Sequence, residues 1–177
     1  MMLYPSGTPT QPEIIAVALS KLALKPTDVF ADIGCGSGSV SIGVAPFVKQ
    51  VYAIDNRDEA VRAARENLKE CGISNASVLK GDAAPVLEGL DIDCAFLGGS
   101  KDMEQVLAIL IKKVPRFVVS AVRIETAALA LGILKKNHRF RELLQIQLSR
   151  GNELGDGTML KPENPIFLIV GKPCSSA

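Results

Sequence analysis

The run FADIGCGSGSVSIGVAPFVKQVYAID, residues 30–55, decides the fold. Val29 to Ile33 is a short, β-rich apolar segment that ends directly in the glycine cluster Gly34, Gly36 and Gly38. Ser39 to Phe47 reads as a helix, and Gln50 to Ile54 as a second strand closed by Asp55. A strand that breaks into glycines and then opens a helix lets the backbone turn tightly and approach a ligand without a side-chain clash. Taken alone, such a loop could equally be a tight structural turn. The residues around it narrow the choice.

A dinucleotide fingerprint calls for glycine or alanine where this chain has Ser39, and has no carboxylate two residues ahead of its first glycine, where this chain has Asp32. Both departures point away from NAD. A sulfonium cofactor with an amino acid end has other needs: an acid near the loop for its ammonium group, met by Asp32, and open backbone for its carboxylate. Asp55, at the end of the next strand, stands where a carboxylate can accept hydrogen bonds from two ribose hydroxyls. After a third strand, Asp82 and Ala83 of the Gly81-Asp82-Ala83 turn supply a carboxylate and a backbone amide at the depth of an adenine ring.

Outward from this centre, strands and helices keep alternating. Thr10, with Pro12 and then Glu13, predicts a capping box for a helix running to about Leu24. Glu59 to Cys71 predicts an amphipathic helix stopped by Gly72, Ser77 to Leu79 a strand, and Asp93 to Leu97 an apolar strand ending at Gly98 and Gly99. Helices over Met103 to Lys113 and Ile124 to Asn137 flank a strand over Arg116 to Ala121. Arg139 to Leu148 and Ile166 to Val170 read as two final strands, antiparallel to each other because no crossover helix separates them. Between them Arg150 to Thr158 reads as a mobile glycine-rich segment. The alternation predicts an α/β, Rossmann-like fold with helices on both faces, and the 177 residues predict a single domain, 1–177.

Composition bounds the function from outside. A net charge of +1 and no tryptophan leave no footprint of a nucleic-acid surface, and no apolar stretch is long enough for a membrane span. The start of the chain lacks a secretory pattern, so a cytoplasmic protein is expected. Cys35, Cys71, Cys94 and Cys174 form no C-x-x-C pair, and one histidine, His138, cannot complete an ordinary ligand set; no metal site is expected. Cys94 reads as an inert core residue rather than a nucleophile, and His138 as a helix-terminal cation rather than a catalyst.

Asp32, the Gly34-Cys35-Gly36-Ser37-Gly38 loop, Asp55 and the Gly-Asp pair at 81–82 fall in the right elements in the right order to resemble the class I methyltransferase family. That family binds S-adenosyl-L-methionine on a seven-stranded, mostly parallel sheet with an antiparallel last strand. The loop after the fourth strand, Phe96-Leu97-Gly98-Gly99-Ser100, lacks the motif of amino-methylating members. Pro9-Thr10, Gly81 to Pro85, Gly98-Gly99-Ser100, Ile124-Glu125-Thr126, and Arg150-Gly151 through Gly157-Thr158-Met159 to Asn164-Pro165 are similar, in order, to the CbiT-type precorrin methyltransferases, also found as the carboxyl-terminal half of CobL enzymes.

The resemblance implies methylation of a cobalt-precorrin at carbon-15 with loss of carbon dioxide from the acetate on carbon-12, in cobalamin biosynthesis, by a homotetramer. It implies cofactor contacts at Thr10, residues 34–38, Asp55 and Ala83. A tetrapyrrole carries many carboxylates, so arginines should orient it: Arg150 first, then Arg123, which stands where the family pattern suggests an apolar residue. Glu125, Gly99 and Ser100 are further candidates on the substrate side. Two alternatives stay open: a methyltransferase of the same fold acting on another small molecule or on RNA, and a module that binds S-adenosylmethionine without turnover.

Overall fold

The computed structural model describes residues 2–5, 9–99 and 101–173; Ser100 and Cys174 lie outside them. The chain enters through helix α1 (Pro12–Leu22). It then alternates β1 (Val29–Ile33), α2 (Ser39–Val44) with a 3₁₀ turn (Ala45–Phe47), β2 (Gln50–Asp55), α3 (Asp58–Glu70), β3 (Ala76–Lys80), α4 (Ala83–Glu88), β4 (Cys94–Leu97), α5 (Met103–Lys113), β5 (Arg116–Ala121) and α6 (Ile124–Lys136). Four strands follow without a helix between them: β6 (Phe140–Ile146), β7 (Ser149–Leu154), β8 (Gly157–Pro162) and β9 (Ile166–Gly171).

Seven strands form one sheet in the order β3-β2-β1-β4-β5-β9-β6. The pairs among β1 to β5 are all parallel, and β9 runs antiparallel to both β5 and β6. The last strand is therefore inserted between its two antiparallel neighbours, and β6 takes the edge. Because β2 and β3 lie to one side of β1 while β4 and β5 lie to the other, the chain reverses direction at β1, which opens a crevice beyond the carboxyl ends of β1 and β4. Ile33 pairs in register with both Ile54 and Leu97, so the loops that follow all leave the sheet at one level.

Both faces of the sheet are covered, which is why its strands read as continuous apolar runs. The period of two sends Phe30, Cys94, Phe96, Val118 and Leu168 to one side, against Ile14 and Leu22 of α1 and Val40 and Val44 of α2. Ala31, Ile33, Ala95, Leu97 and Val119 face the other side, against Leu107 and Leu110 of α5 and Ala130 and Leu134 of α6. The central strands are thereby fixed on both sides, and the loops they carry inherit that rigidity.

Three expectations need correction, and one helix was not foreseen. The capping box at Thr10 does not form: α1 has Gln11 as its N-cap, without a side-chain cap bond, because Glu13 turns outward to Arg150. That helix stops at Leu22, where Ala23 takes a left-handed conformation. Helix α4 has no counterpart in the sequence reading. The segment Arg150 to Thr158 is not an irregular glycine loop: it belongs to a separate two-stranded sheet of β7 and β8, closed by the two-residue turn Gly155-Asp156 with Gly155 at φ 61°.

Candidate functional site

The crevice beyond β1 and β4 holds a cavity of about 580 Å³ whose floor is the glycine loop. The loop's own backbone anchors it: the amides of Gly34 and Cys35 both donate to the carbonyl of Ile54, at 2.8 and 3.0 Å, and Gly38 N donates to Cys35 O at 2.8 Å. Gly34, at φ 74°, also backs onto the loop after β4. A Cβ there would stand 2.8 Å from the backbone nitrogen of Gly99, so only glycine lets the two loops meet. The wall formed by Gly98 and Gly99 separates this cavity from a second one of about 250 Å³, which reaches toward Arg123 and Thr126.

Three acids stand where the strands end. Asp32 is buried, and its Oδ2 accepts from the Ser41 amide at 3.0 Å and the Ser41 hydroxyl at 2.6 Å. Burial pushes its carboxyl up to about 6, against the opposing pull of the two Ser41 bonds. Asp55, also buried, receives the Gly36 amide at Oδ2 (3.0 Å) and the Arg57 amide at Oδ1 (3.0 Å). The Arg57 guanidinium folds back onto both oxygens at 3.1 Å. Burial works to raise the Asp55 carboxyl, but the Arg57 side chain and these amides together hold it below its ordinary value. Asp82 accepts Asn56 Nδ2 at 3.0 Å and Lys101 Nζ at 3.1 Å, which lower its carboxyl in that order.

Thr10, Asp32, Gly34, Cys35, Gly36, Ser37, Asp55, Asp82, Ala83 and Gly99 all line the larger cavity. Gly38 is not part of that lining; it is the left-handed N-cap of α2 at φ 78°, a conformation that favours glycine. Cys35 is buried, and burial raises its thiol far above the usual range, with Asp32 and Asp55 adding to the effect. Cys94 lies in the core at the start of β4 with its thiol pushed up to about 12, chiefly by burial.

On the substrate side the candidates separate. Thr10 and Gly99 line both cavities, and Arg123 lines the smaller one. Glu125 sits exposed in the first turn of α6 and lines neither. Arg150 also lines neither: its guanidinium is held by Glu13 and Glu163, each at 2.8 Å, which moves it from first candidate to a clasp between the hairpin and α1. Ser100 falls outside the described residues. His138 follows the Asn137 C-cap of α6 in a left-handed conformation, φ 55°, and lines neither cavity.

Sequence reasoning missed Arg57, Lys101 and Asn67. Fully buried Asn67 donates through Nδ2 to Ser37 O at 2.8 Å and exchanges two hydrogen bonds with the Leu3 backbone, at 2.7 and 2.8 Å. It thus fastens the N-terminal segment, with Tyr4 and Pro5, along the cavity's rim. An asparagine inside an amphipathic helix was its only signal in the sequence.

A family model described as a precorrin methyltransferase domain matches residues 4–171. A protein of Methanosarcina mazei named "Probable cobalt-precorrin-6B C(15)-methyltransferase (decarboxylating)" is 48% identical over 174 residues, covering 94% of this chain and 95% of that protein. The solved structure of a precorrin 8W decarboxylase from Methanobacterium thermoautotrophicum superposes with a TM-score of 0.89 at 32% identity, over 93% of this chain and 92% of that one. A precorrin-6y C5,15-methyltransferase from Geobacter metallireducens gives a TM-score of 0.90 at 26% identity, over 97% and 94% of the two chains.

Proposed function

This chain belongs to the precorrin methyltransferase family, and on that premise we propose that it moves a methyl group from S-adenosyl-L-methionine to carbon-15 of a cobalt-precorrin, with loss of carbon dioxide from the acetate on carbon-12. The observation that carries the cofactor reading is the charge of the larger cavity. Its lining has four carboxylates, Asp32, Asp55, Asp82 and Asp102, against two cations, Arg57 and Lys101. A sulfonium with an ammonium group suits such a lining, and a pyrophosphate does not.

Bound there, S-adenosylmethionine supplies an electrophilic methyl on a positively charged sulfur. The protein's own part is alignment and exclusion of water. Asp32, fixed by Ser41, faces the ammonium end, and an ammonium beside it favours the ionised form that burial opposes. Asp55 takes the ribose hydroxyls when the half-exposed Arg57 side chain gives up its place on the carboxylate. The Asp82 carboxylate and the Ala83 amide frame the adenine. The Gly98-Gly99 wall, free of side chains and shared by both cavities, would leave a donor in the larger cavity open toward a substrate at the smaller one.

The bound donor would supply a methyl whose bonding pair stays on sulfur as the methyl passes to an electron-rich ring carbon. Neither step calls for a protein nucleophile, because the conjugated macrocycle also accepts the electron pair released when the acetate's carbon dioxide departs. The buried, high thiols of Cys35 and Cys94 agree with that.

The reading extends to a single methyltransferase domain over 1–177, acting in the cytoplasm on a small molecule, without nucleic acid or membrane, as a homotetramer. Among the described residues no helix is long and apolar enough to cross a membrane. Leu154 and Met159 on one face of the β7-β8 hairpin, and Leu160 on the other, are exposed apolar side chains suited to subunit contacts. Incubation with S-adenosylmethionine and cobalt-precorrin-6B, followed by mass analysis, tests the proposal. A product heavier by one methyl and lighter by carbon dioxide is expected; binding of S-adenosylhomocysteine with no product from any cobalt-precorrin would overturn the substrate assignment.

A further inference from the structure

We infer that the smaller cavity is a carboxylate subsite for one edge of the substrate, with Arg123 as the residue that positions it; the inference rests on the methyl-transfer reading above. The two cavities share Pro9, Thr10, Gly98 and Gly99, so a ligand in the smaller one meets a cofactor in the larger across a wall of bare backbone. At about 250 Å³ the smaller cavity is well below the size of a macrocycle site and admits only a rim substituent.

Charge divides the two spaces. The larger cavity has an excess of carboxylates, which attracts a cationic cofactor and repels a polyanion. The smaller has a single charged residue in its lining, Arg123. Three other cations near the crevice are already paired: Arg57 with Asp55, Lys101 with Asp82, and Arg150 with Glu13 and Glu163. The Arg123 side chain has no hydrogen bond or ion pair with any of the described residues. A guanidinium at a cavity with its donor fork unspent is matched by a carboxylate, which it can hold through two parallel bonds.

Its neighbours fit the rest of such a ligand. Val122, which lines the smaller cavity, and Ile124, on the other side of Arg123 in sequence, are 56% and 66% exposed. An apolar pair flanking a cation suits a flat ring with carboxylates around its rim: the ring face lies on Val122 and Ile124 while one acid enters beside Arg123 and Thr126. Arg123 is also the N-cap position of α6 but makes no side-chain cap bond, so replacing its side chain removes no support from that helix.

The test is a fluorescence titration with uroporphyrin, a polycarboxylate tetrapyrrole, in saturating S-adenosylhomocysteine, on wild type, Arg123→Met and Arg150→Met. Wild type and Arg150→Met should bind alike, and Arg123→Met about 10- to 100-fold more weakly, as expected for a lost charged pair. Affinity for S-adenosylhomocysteine should be the same in all three, and the methyl ester of uroporphyrin should erase the difference. Equal uroporphyrin affinity in wild type and Arg123→Met, or no binding to wild type, would overturn the subsite. Turnover of cobalt-precorrin-6B by wild type separates the two proposals: binding through Arg123 without turnover upholds the subsite and sinks the methyl-transfer reading, whereas turnover with an unchanged KM in Arg123→Met does the reverse.

Discussion

Asp55 meets its hydrogen-bonding capacity within the chain, through Arg57 and Gly36, before any ligand arrives. On the proposed reading, cofactor binding is an exchange of partners on this carboxylate rather than the filling of a vacancy. Asp55→Ala removes that acceptor and should weaken S-adenosylhomocysteine binding by about 1–3 kcal/mol in calorimetric titration; unchanged affinity in a folded variant would put the ribose elsewhere. Asp32 makes a prediction in pH. Its folded value, about 6, lies above the ordinary 3.8, so between those values the folded chain holds a proton that the unfolded chain has lost. Stability from this group is thus fully present below pH 4 and is lost as pH rises through 6. Asp32→Asn, which cannot ionise, should gain about 1–3 kcal/mol over wild type at pH 7.5 in urea unfolding, with the gain shrinking toward pH 4. A gain independent of pH would contradict the burial argument. That Asp32 and Asp55 line the cavity was legible because a strand end fixes where its side chains go. The Arg57 clasp was not, since a long side chain folding back two residues depends on the loop built around it.

Among the elements, those with a sustained period were legible and those without one were not. The central strands and helices α3, α5 and α6 announced themselves by apolar spacing. Helix α4 is six residues long, begins beside Gly81-Asp82 and contains Pro85, too short a span for any period to emerge. Strands β7 and β8 are exposed on both faces, so their sequence shows no alternation and reads as loop. Arg139 was hidden in another way. As the first residue of the strand Arg139 to Leu148 it gave no sign of its role, yet it is buried against Phe117 and donates to the carbonyls of Ile111, Val114 and Lys172. It ties the end of α5 to β6 and β9 by satisfying backbone groups that the elements leave over. Arg139→Met strands those carbonyls and should cost about 2–4 kcal/mol in urea unfolding, with S-adenosylhomocysteine affinity in the folded protein unchanged. A cost below about 1 kcal/mol would mean that water replaces the guanidinium without penalty.

At the scale of the whole molecule, the strand order places the glycine loop, the strand-end acids and the Gly98-Gly99 wall at one rim, although they come from segments far apart in the chain. The order of motifs in the sequence was enough to foresee that rim, because parallel strands joined by helices leave few ways to arrange their carboxyl ends. What it could not foresee is how charge is shared out across the rim: Arg150 is spent on a clasp with Glu13 and Glu163, and Arg123 is left with its donors open among the described residues. That difference depends on which carboxylates the fold brings near each guanidinium. The account as a whole stands on transfer to a ring carbon. The most direct test is a single turnover of cobalt-precorrin-6B with S-adenosylmethionine carrying a carbon-13 methyl, read by carbon NMR of the product. The account predicts the label bonded to carbon-15 of a macrocycle that has lost its carbon-12 carboxylate; a label on oxygen or nitrogen, or one that stays on the cofactor, would contradict it.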